Sequence, residues 1–520
     1  MNKNEEAIGI TIGENTVNEI EFISTQIIQQ GLYVCMENEE NIILGMVTEV
    51  NVGNLLLNEE MALPNEIEKI LDTVGDDDEY TRAKVKILGD INALKLSRTA
   101  IKSNTYVRKA KTSELKKVFE FEGLKNGKIV TNNDVSVCLN TDQLISKHLA
   151  ILAMTGSGKS NTTAILIDEL LKIHGCIVLF DIHSEYGNIE FKNGKVNRIK
   201  PQINLADLTS KEFIRLAGIS KEAVTQERVL YQAIKKVNSD KKRDIENVSK
   251  EGKYKNEAVK KKIEKSIEKT YRLEYLDLIK YQLKQIRKKE ENKKNQQSID
   301  TAIDKVRYNL ENIHKSIIDE DSDFKLFEQI KPDCVNILDF GSVEEENVQI
   351  IIEKLLRDIL RGRKNFKLNN NIFDECIEFP VFCMIEEAHT LASKDDKESG
   401  PKYQIGKIAK EGRKFGVGLC LVSQRPKTLD SEILSQVNNW IVLKIVEPGD
   451  QRYIQECSDN MSNDLIKELP NLNTGEAIIT GPMVEMPSIC KIDLFDGKTI
   501  GQNIKITKEW QYYYERNIKA

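Results

Sequence analysis

The sequence lacks long hydrophobic runs: nowhere in its 520 residues do about twenty apolar residues follow one another, as a membrane-spanning helix requires. The first ten residues, MNKNEEAIGI, lack the basic start and the apolar centre of a secretion signal. These two absences predict a cytoplasmic protein that makes no contact with a membrane.

Cysteine is also sparse. The nine cysteines are scattered, odd in number, and form neither a CxxC pair nor a cluster with histidine, so we expect neither a disulfide framework nor a structural zinc site. The sequence has no internal repeat, no low-complexity linker and no long heptad tract. A composition of 40% hydrophobic and 30% charged residues excludes a disordered or collagen-like chain. The length allows two to four domains.

The net charge of −6 conceals one basic segment. Between Lys235 and Asp300 the chain carries 21 Lys and Arg against 12 Asp and Glu. Such a segment inside an acidic chain is compatible with nucleic-acid binding, but net charge does not decide the question.

Residues 1–125 read as a small β-rich domain. Short alternating or apolar runs recur at Ile8–Ile12, Gly31–Met36, Asn41–Val50 and Thr81–Leu88, and Gly, Asn and Asp clusters separate them. This pattern predicts a β-barrel.

An α/β core follows, divided between residues 126–219 and 315–497. An apolar run at Leu149–Met154, a helical pattern at Asn161–Ile173 and a second apolar run at Cys176–Phe180 predict a βαβ unit, and hence a parallel sheet. Further strands are predicted at 334–340, 379–385, 416–424, 440–446 and 476–481, with a helix at about 343–360. The fold class is therefore α/β, with a mainly parallel, doubly wound sheet.

Residues 220–314 interrupt this core with a charged helical pattern. Apolar residues recur three or four positions apart, as at Val259, Ile263 and Ile267, with Lys and Glu between them. We expect an inserted antiparallel helical bundle that docks a partner, contacts DNA or is simply a solvated bundle. The tail, 498–520, contains Trp510 and Tyr512–Tyr514.

The strongest motif is the segment AMTGSGKS at Ala153–Ser160, which matches G-x-x-x-x-G-K-[ST] except that Ala153 replaces the first Gly. An apolar strand precedes it and a helix follows, so its backbone N–H groups and the helix N-terminus would bind phosphate. We expect Lys159 to reach the β- and γ-phosphates of ATP and Ser160 to ligate Mg²⁺. The nucleotide-binding residues are thus predicted to be Thr155, Gly156, Ser157, Gly158, Lys159, Ser160 and Asn161.

An acidic pair ends the strand at 379–385. A nucleotide hydrolase needs one carboxylate for the Mg²⁺ shell and one to orient or deprotonate water; Glu386 fits the first task and Glu387 the second. The alternative is a solvated helix start, where carboxylates favour the helix dipole.

Five other positions support or qualify this reading. Gln424 follows the next strand and either senses the γ-phosphate or belongs to a turn closed by proline. Arg413 precedes that strand; it either completes a neighbouring subunit's site or ends a helix in solvent. His389 either couples the γ-phosphate to movement or packs at the strand exit. Asp181 and Glu185 follow the strand after the phosphate loop, where they position metal or water, or hold the loop together.

These motifs, taken in chain order, resemble the HerA branch of the FtsK–HerA ATPase superfamily. The resemblance covers most of residues 1–500 and rests on KHLAILAMTGSGKS, FDIHSEYG, CVNILDF, CMIEEAH, EGRKFGVGLCLVSQRP and LPNLNTGEAIITG. It implies a RecA-like P-loop NTPase core behind an N-terminal barrel of the HAS type. The departures are Ala153 for a frequent Gly, Ser184 for the Gly of D-x-H-G-E-Y, and Lys147 where an Arg is common.

The resemblance also implies a function. Members of this branch form homohexameric rings that hydrolyse ATP and move double-stranded DNA through a central channel, with a nuclease or other effector, in DNA end processing or antiphage defence. By position, it gives Lys159 and Ser160 the phosphate-loop roles, Glu386 and Glu387 those of the acidic pair, Gln424 that of the sensor glutamine and Arg413 that of the trans-acting arginine. Residues 498–520 would brace a neighbouring subunit or pack locally.

Two functions of different class follow. The first is an ATP-driven translocase in which Lys394, Lys397 and Lys402 are candidates for contact with DNA phosphates in the pore. The second is a nucleotide-binding ring that assembles and activates an effector enzyme without moving DNA.

Overall fold

The computed structural model describes residues 6–38, 41–54, 79–187, 189–250, 257–319, 325–368, 376–396 and 400–497, with positions 507 and 511. The tail residues Trp510 and Tyr512–Tyr514, and Lys397 of the predicted pore-facing loop, lie outside these ranges.

The N-terminal strands close into a barrel in the order β1-β2-β5-β4-β3-β6. All neighbouring strands pair antiparallel. Inward positions of the alternating strands supply its core, among them Phe22, Val34, Val85 and Val107, all fully buried. The strands are β1 (Ala7–Ile12), β2 (Glu19–Ser24), β3 (Tyr33–Asn38), β4 (Asn41–Asn54), β5 (Glu79–Asp90) and β6 (Tyr106–Lys109).

The second sheet has eleven strands in the order β11-β12-β10-β13-β14-β9-β15-β16-β17-β7-β8. They are β7 (Leu124–Ile129), β8 (Asn132–Leu139), β9 (Leu149–Leu152), β10 (Cys176–Asp181), β11 (Lys195–Ile199), β12 (Cys334–Asp339), β13 (Val381–Ile385), β14 (Val417–Ser423), β15 (Asn439–Leu443), β16 (Glu476–Thr480) and β17 (Ser488–Ile492). Every pair from β11 through β15 is parallel, which confirms the predicted mainly parallel α/β core.

The opposite end of this sheet is antiparallel. Strands β16, β17, β7 and β8 continue it beyond β15 by antiparallel pairing. The strand at 476–481 was predicted together with the parallel strands, but it pairs antiparallel with β15, so the prediction of its direction was wrong. In the parallel part, β10, β13 and β14 are buried along their whole length, because helices cover both faces.

Thirteen α-helices lie in the described residues. They are α1 (Thr112–Phe119), α2 (Thr141–Ser146), α3 (Lys159–Lys172), α4 (Ser210–Leu216), α5 (Val224–Lys250), α6 (Glu257–Leu273), α7 (Tyr275–Lys289), α8 (Lys293–Tyr308), α9 (Glu345–Lys367), α10 (Gly400–Phe415), α11 (Ser431–Leu434), α12 (Pro448–Cys457) and α13 (Asn463–Glu468). Helices α5–α8 fall within the predicted insert, and their buried stripe includes Ile279, Leu283, Ile299 and Val306. The proposed domain boundaries themselves stay predictions.

No helix in the described ranges is both long and apolar enough to cross a lipid bilayer.

Candidate functional site

The phosphate-binding loop joins the end of β9 to the start of α3. Gly156 and Gly158 have φ angles of 79° and 110°, which side-chain-bearing residues rarely adopt. A Cβ on Gly158 would meet Gly475 Cα at 3.3 Å, and Gly475 N–H donates to Ser157 O at 2.8 Å, so a second loop holds this one closely. Ala153, in contrast, is not among the positive-φ positions of the described chain, so the first motif position does not require glycine.

Lys159 brings the loop and the acidic strand end together. Its Nζ lies 2.8 Å from Glu386 Oε2 and 2.7 Å from Glu387 Oε1. The strand order β13-β14-β9 explains the meeting, because the carboxyl ends of parallel strands share one edge of the sheet. Burial lowers the pKa of Lys159, but Glu386 and Glu185 outweigh burial and raise it overall, so the amine is charged.

The two carboxylates of the acidic pair differ in environment. Glu386 is 2% exposed, and Tyr186 donates its hydroxyl to Glu386 Oε1 at 2.6 Å. Burial raises the pKa of Glu386 despite Lys159 and Tyr186, which act in the opposite direction. At Glu387, burial also raises the pKa, but hydrogen bonds from His389, Lys159 and Gln424 lower it to about 2. Glu387 is therefore an ionised carboxylate at neutral pH.

Gln424 connects Glu387 to the phosphate loop. Its Nε2 donates to Glu387 Oε1 at 2.6 Å, and its Oε1 accepts from Thr155 Oγ1 at 2.6 Å. His389 Nδ1 lies 3.2 Å from Glu387 Oε2 and 3.3 Å from Ser423 Oγ. Glu387 also has a left-handed backbone, with φ of 46°. A non-glycine residue in that region marks stored strain, which clusters at functional sites.

A loop after β10 reaches the site from the other side. Ser160 Oγ donates to Glu185 Oε2 at 2.5 Å, and Lys159 Nζ lies 3.9 Å from Glu185 Oε1. The fully buried Asp181 accepts the N–H groups of Glu185 and Tyr186, at 2.9 and 2.8 Å. Sequence reasoning singled out Asp181 and Glu185 but missed Tyr186, whose aromatic side chain carried no signal of its own.

Asn161 turns its side chain away from the acidic pair. Its Nδ2 donates to Asp493 O at 2.8 Å and its Oδ1 accepts from Phe495 N–H at 2.9 Å. The side chain thus fixes the segment at 493–495 beside the start of α3. Its predicted contribution to nucleotide binding rests with the backbone.

Arg413, Lys394 and Lys402, the cations predicted to act from outside the phosphate loop, do not belong to the cluster around Lys159. Arg413 is exposed near the end of α10, four residues before β14 begins, whereas Gln424 follows the last residue of that strand. A seven-residue strand spans roughly 20 Å, so Arg413 lies at the opposite edge of the sheet from its own phosphate loop. Lys402 Nζ is 2.8 Å from Asp430 Oδ2, and Lys394 Nζ lies over the Tyr453 ring at 5.8 Å.

The side chains that meet at the loop suit Mg²⁺ bound with a phosphate ligand. Ser160, Glu185 and Glu386 offer oxygen atoms alone, the donors that this hard cation prefers. Within the described ranges, no group of three His, Cys, Asp or Glu side chains is arranged to hold a metal by itself. Mg²⁺ in such sites is commonly bound by one or two protein oxygens and by substrate phosphates.

Two family models match the chain: the central domain of helicase HerA over residues 124–359 and the HAS barrel domain over residues 8–92. A probable helicase of Methanocaldococcus jannaschii is 36% identical over 98% of this chain and 94% of its own length. The DNA double-strand break repair helicase HerA of Sulfurisphaera tokodaii is 37% identical, covering 97% and 96%. Among solved structures, VirB4 of Thermoanaerobacter pseudethanolicus aligns at 13% identity with a TM-score of 0.49, over 72% of this chain and 98% of that chain.

Proposed function

The chain belongs to the HerA helicase family, and on that premise we propose that it is an ATP-driven translocase of double-stranded DNA. We further propose that it acts in the cytoplasm as a homohexamer, with a nuclease or other effector protein, in DNA end processing or antiphage defence. The observation that carries the proposal is the contact of Lys159 with both Glu386 and Glu387, at 2.8 and 2.7 Å, while Gln424 binds Glu387. A phosphate-binding cation, the acidic pair and a polar sensor thereby meet at one point.

The proposed mechanism begins with an exchange of partners at Lys159. The backbone of Thr155–Asn161 and the ammonium of Lys159 would hold the triphosphate, and Ser160 and Glu386 would hold Mg²⁺ with it. When bound, Mg²⁺ neutralises phosphate charge and polarises the γ-phosphoryl group. Because a triphosphate carries more negative charge than the carboxylates, Lys159 would turn toward it and release Glu387.

Glu387 would then orient the attacking water. Without the Lys159 contact, hydrogen bonds from His389 and Gln424 still lower the pKa of this carboxyl group, so it stays ionised and can accept a hydrogen bond from water. Gln424 stays within reach of both Glu387 and Thr155, and would align this carboxylate with the γ-phosphate. His389 fits a role in transmitting that alignment to Ser423, at the end of β14.

The last positive charge of the proposed site, the guanidinium of Arg413, would come from a neighbouring copy of the chain. Arg413 lies at the far edge of its own sheet, so it does not reach the phosphate loop of its own chain. Its side chain is also exposed. Both features suit an arginine that completes the site of the next subunit.

The test compares Glu387→Gln and Lys159→Ala with Glu222→Gln, an exposed carboxylate at the edge of the insert. Duplex-stimulated ATP hydrolysis and displacement of a third strand from triplex DNA would be measured. We expect Glu387→Gln to lower kcat by about 100-fold or more while ADP still binds, because only water activation is lost. Lys159→Ala should also lose nucleotide affinity, and Glu222→Gln should match the wild type.

The same variant separates the motor from the effector-assembling ring. If Glu387→Gln abolishes hydrolysis and effector function together, the motor assignment stands. If hydrolysis is lost but effector function remains complete, the ring acts as a scaffold and the translocase proposal fails.

A further inference from the structure

The loop that follows β10 delivers two side chains to the two halves of the site. Glu185 accepts from the Ser160 hydroxyl at 2.5 Å, and the next residue, Tyr186, donates to Glu386 at 2.6 Å. The loop therefore contacts the metal-ligating hydroxyl of the phosphate loop and the acidic strand end at once.

This loop is fixed by interactions that leave the Glu185 side chain free to point inward. Buried Asp181 accepts two consecutive backbone N–H groups, those of Glu185 and Tyr186. Ser184 has a left-handed backbone, with φ of 58°, and its hydroxyl donates to Asp339. Gly341 faces this turn so closely that a Cβ there would overlap Ser184 Oγ. The backbone is thus held on both sides of Glu185.

Glu185 and Glu386 differ in access. The Glu386 side chain is 3% exposed, and its two oxygens already bind Tyr186 and Lys159. The Glu185 side chain is 29% exposed, and it accepts a hydrogen bond from Ser160. A hydrated Mg²⁺ keeps several of its waters, so a carboxylate that solvent also reaches can contact the ion through them. Glu185 is such a carboxylate, beside the buried Glu386.

We propose that Glu185 is a second carboxylate of the Mg²⁺ site, which holds the coordination shell of the ion on the side of Ser160. The proposal rests on the ATPase function proposed above and adds to it a second residue that binds the metal ion. In the metal-free site, Glu185 Oε2 accepts a hydrogen bond from the Ser160 hydroxyl. With the ion bound, the Ser160 oxygen would face the metal, and Glu185 would accept from a metal-bound water or ligate directly. The Glu185 carboxylate serves both arrangements without a change in the loop.

The test measures metal affinity without catalysis. Mn²⁺ would be titrated against the full chain with saturating ADP, and free Mn²⁺ followed by electron paramagnetic resonance. We expect Glu185→Gln to weaken Mn²⁺ binding by about tenfold or more, as loss of a supporting ligand does in other metal sites. The matched control is Glu190→Gln, five residues further along the same segment. It should bind Mn²⁺ like the wild type.

ADP binding in EDTA supplies the check on folding. If Glu185→Gln binds ADP normally in EDTA and Mn²⁺ weakly, the proposal is supported. If its Mn²⁺ affinity lies within twofold of wild type, the proposal is overturned, and a fall in kcat under that condition would assign Glu185 to water instead. Because this binding needs neither DNA nor hydrolysis, a failure of the translocase proposal would leave the result readable.

Discussion

At the scale of single residues, His148 is a buried imidazole immediately before the strand that leads into the phosphate loop. It is 2% exposed; its Nε2 lies 3.0 Å from Ala409 O, and its Nδ1 accepts from Leu419 N–H at 3.1 Å. These contacts suit the neutral tautomer with the proton on Nε2, because protonation of Nδ1 would remove the acceptor. Burial accordingly lowers the pKa of His148 to about 4.

This shift predicts acid sensitivity of the ATPase core. The folded-state pKa lies below the ordinary value of 6.5, so the stability contributed by neutral His148 is complete above pH 6.5 and is lost as pH falls toward 4. Between pH 7 and pH 5 the loss is about 2 kcal/mol. Asp181 acts in the opposite direction, since burial raises its pKa to about 6 and acidification relieves a buried charge. The contribution of His148 to stability must therefore be obtained as the difference between the wild type and a variant that lacks the imidazole.

His148→Gln supplies that difference, because an amide can both donate and accept but does not titrate. Urea unfolding would be followed by the fluorescence of buried Trp440, in β15, in a Trp510→Phe background. We expect wild type to lose about 2 kcal/mol more than His148→Gln between pH 7 and pH 5. Equal losses in the two proteins would contradict the assignment.

The sequence predicted the residues that chemistry requires more readily than those that position them. TGSGKS and the Glu386–Glu387 pair were identified because each follows an apolar run that predicts a strand. The structure brings Lys159 of the first within hydrogen-bond distance of both carboxylates of the second. Their catalytic roles stay predictions. Tyr186 and the precise partner of Ser160 could not be predicted, because a 25-residue separation along the chain says nothing of the 2.5 Å contact between Ser160 and Glu185.

At the scale of secondary-structure elements, buried ion pairs fasten the inserted helices to the core. Arg272, on α6, donates to Asp207 at 2.5 Å, and Lys354 lies 3.9 Å from the same carboxyl group. Lys354 in turn pairs with Asp358 at 2.6 Å on α9, with both side chains 2–3% exposed. These ion pairs join the insert to α9. Helix α9 packs against α10, and α10 carries Arg413.

Removing Arg272 should loosen the insert locally. Arg272→Met leaves the Asp207 carboxylate partly buried beside fewer cations, and breaking such pairs is strongly destabilising. Because Asp207 retains Lys354 nearby, we expect a local loss of about 2 kcal/mol, or roughly 30-fold faster hydrogen exchange in α6 and α7. Exchange measured by mass spectrometry on peptides from residues 257–289 would check this.

Lys241→Met is the matched control. Lys241 pairs with Glu268 at 3.3 Å across the same bundle, but the two side chains are 26% and 52% exposed. Solvent-exposed pairs contribute about 1 kcal/mol or less, so exchange should change little. If both variants exchange at the same rate, the Arg272 pair does not fasten the insert.

Periodicity along the chain predicted the helices and the parallel strands but not every strand direction. The apolar stripe of α7 and the fully apolar run of β13 are local patterns. In contrast, β17 pairs antiparallel with β7, placing Cys490 opposite Ile129, more than 350 residues away along the chain. That pairing depends on the assembled sheet, so no local pattern could have indicated it.

At the scale of the whole molecule, the barrel is packed directly on the ATPase core. Tyr33, a barrel residue, accepts a hydrogen bond from Ile489 N–H at 3.3 Å and meets the Phe119 ring edge-on at 5.5 Å. Two further hydrogen bonds join the barrel domain to the core, one between Gln30 and Glu468 and the other between Lys86 and Ser462. A movement of the core at these contacts would therefore be transmitted to the barrel.

The proposed ring makes a prediction whose test needs two variants in one assembly, because each site is proposed to combine the phosphate loop of one copy with Arg413 of the next. Lys159→Ala disables the loop but leaves Arg413, whereas Arg413→Ala does the reverse. Each variant alone should be nearly inactive, since a missing trans-acting arginine lowers kcat by about 10³-fold or more. In a one-to-one mixture exchanged into common rings, about a quarter of the interfaces would pair an intact loop with an intact Arg413.

ATP hydrolysis of that mixture should therefore rise to about a quarter of the wild-type rate if the sites act independently. The control mixes Arg413→Ala with the double variant Lys159→Ala/Arg413→Ala, which offers no intact interface and should stay inactive. Recovery in the first mixture alone would place Arg413 at the site of the neighbouring copy. Equal rates in the two mixtures would mean that each chain completes its own site, and full activity of Arg413→Ala alone would mean that Arg413 takes no part in hydrolysis.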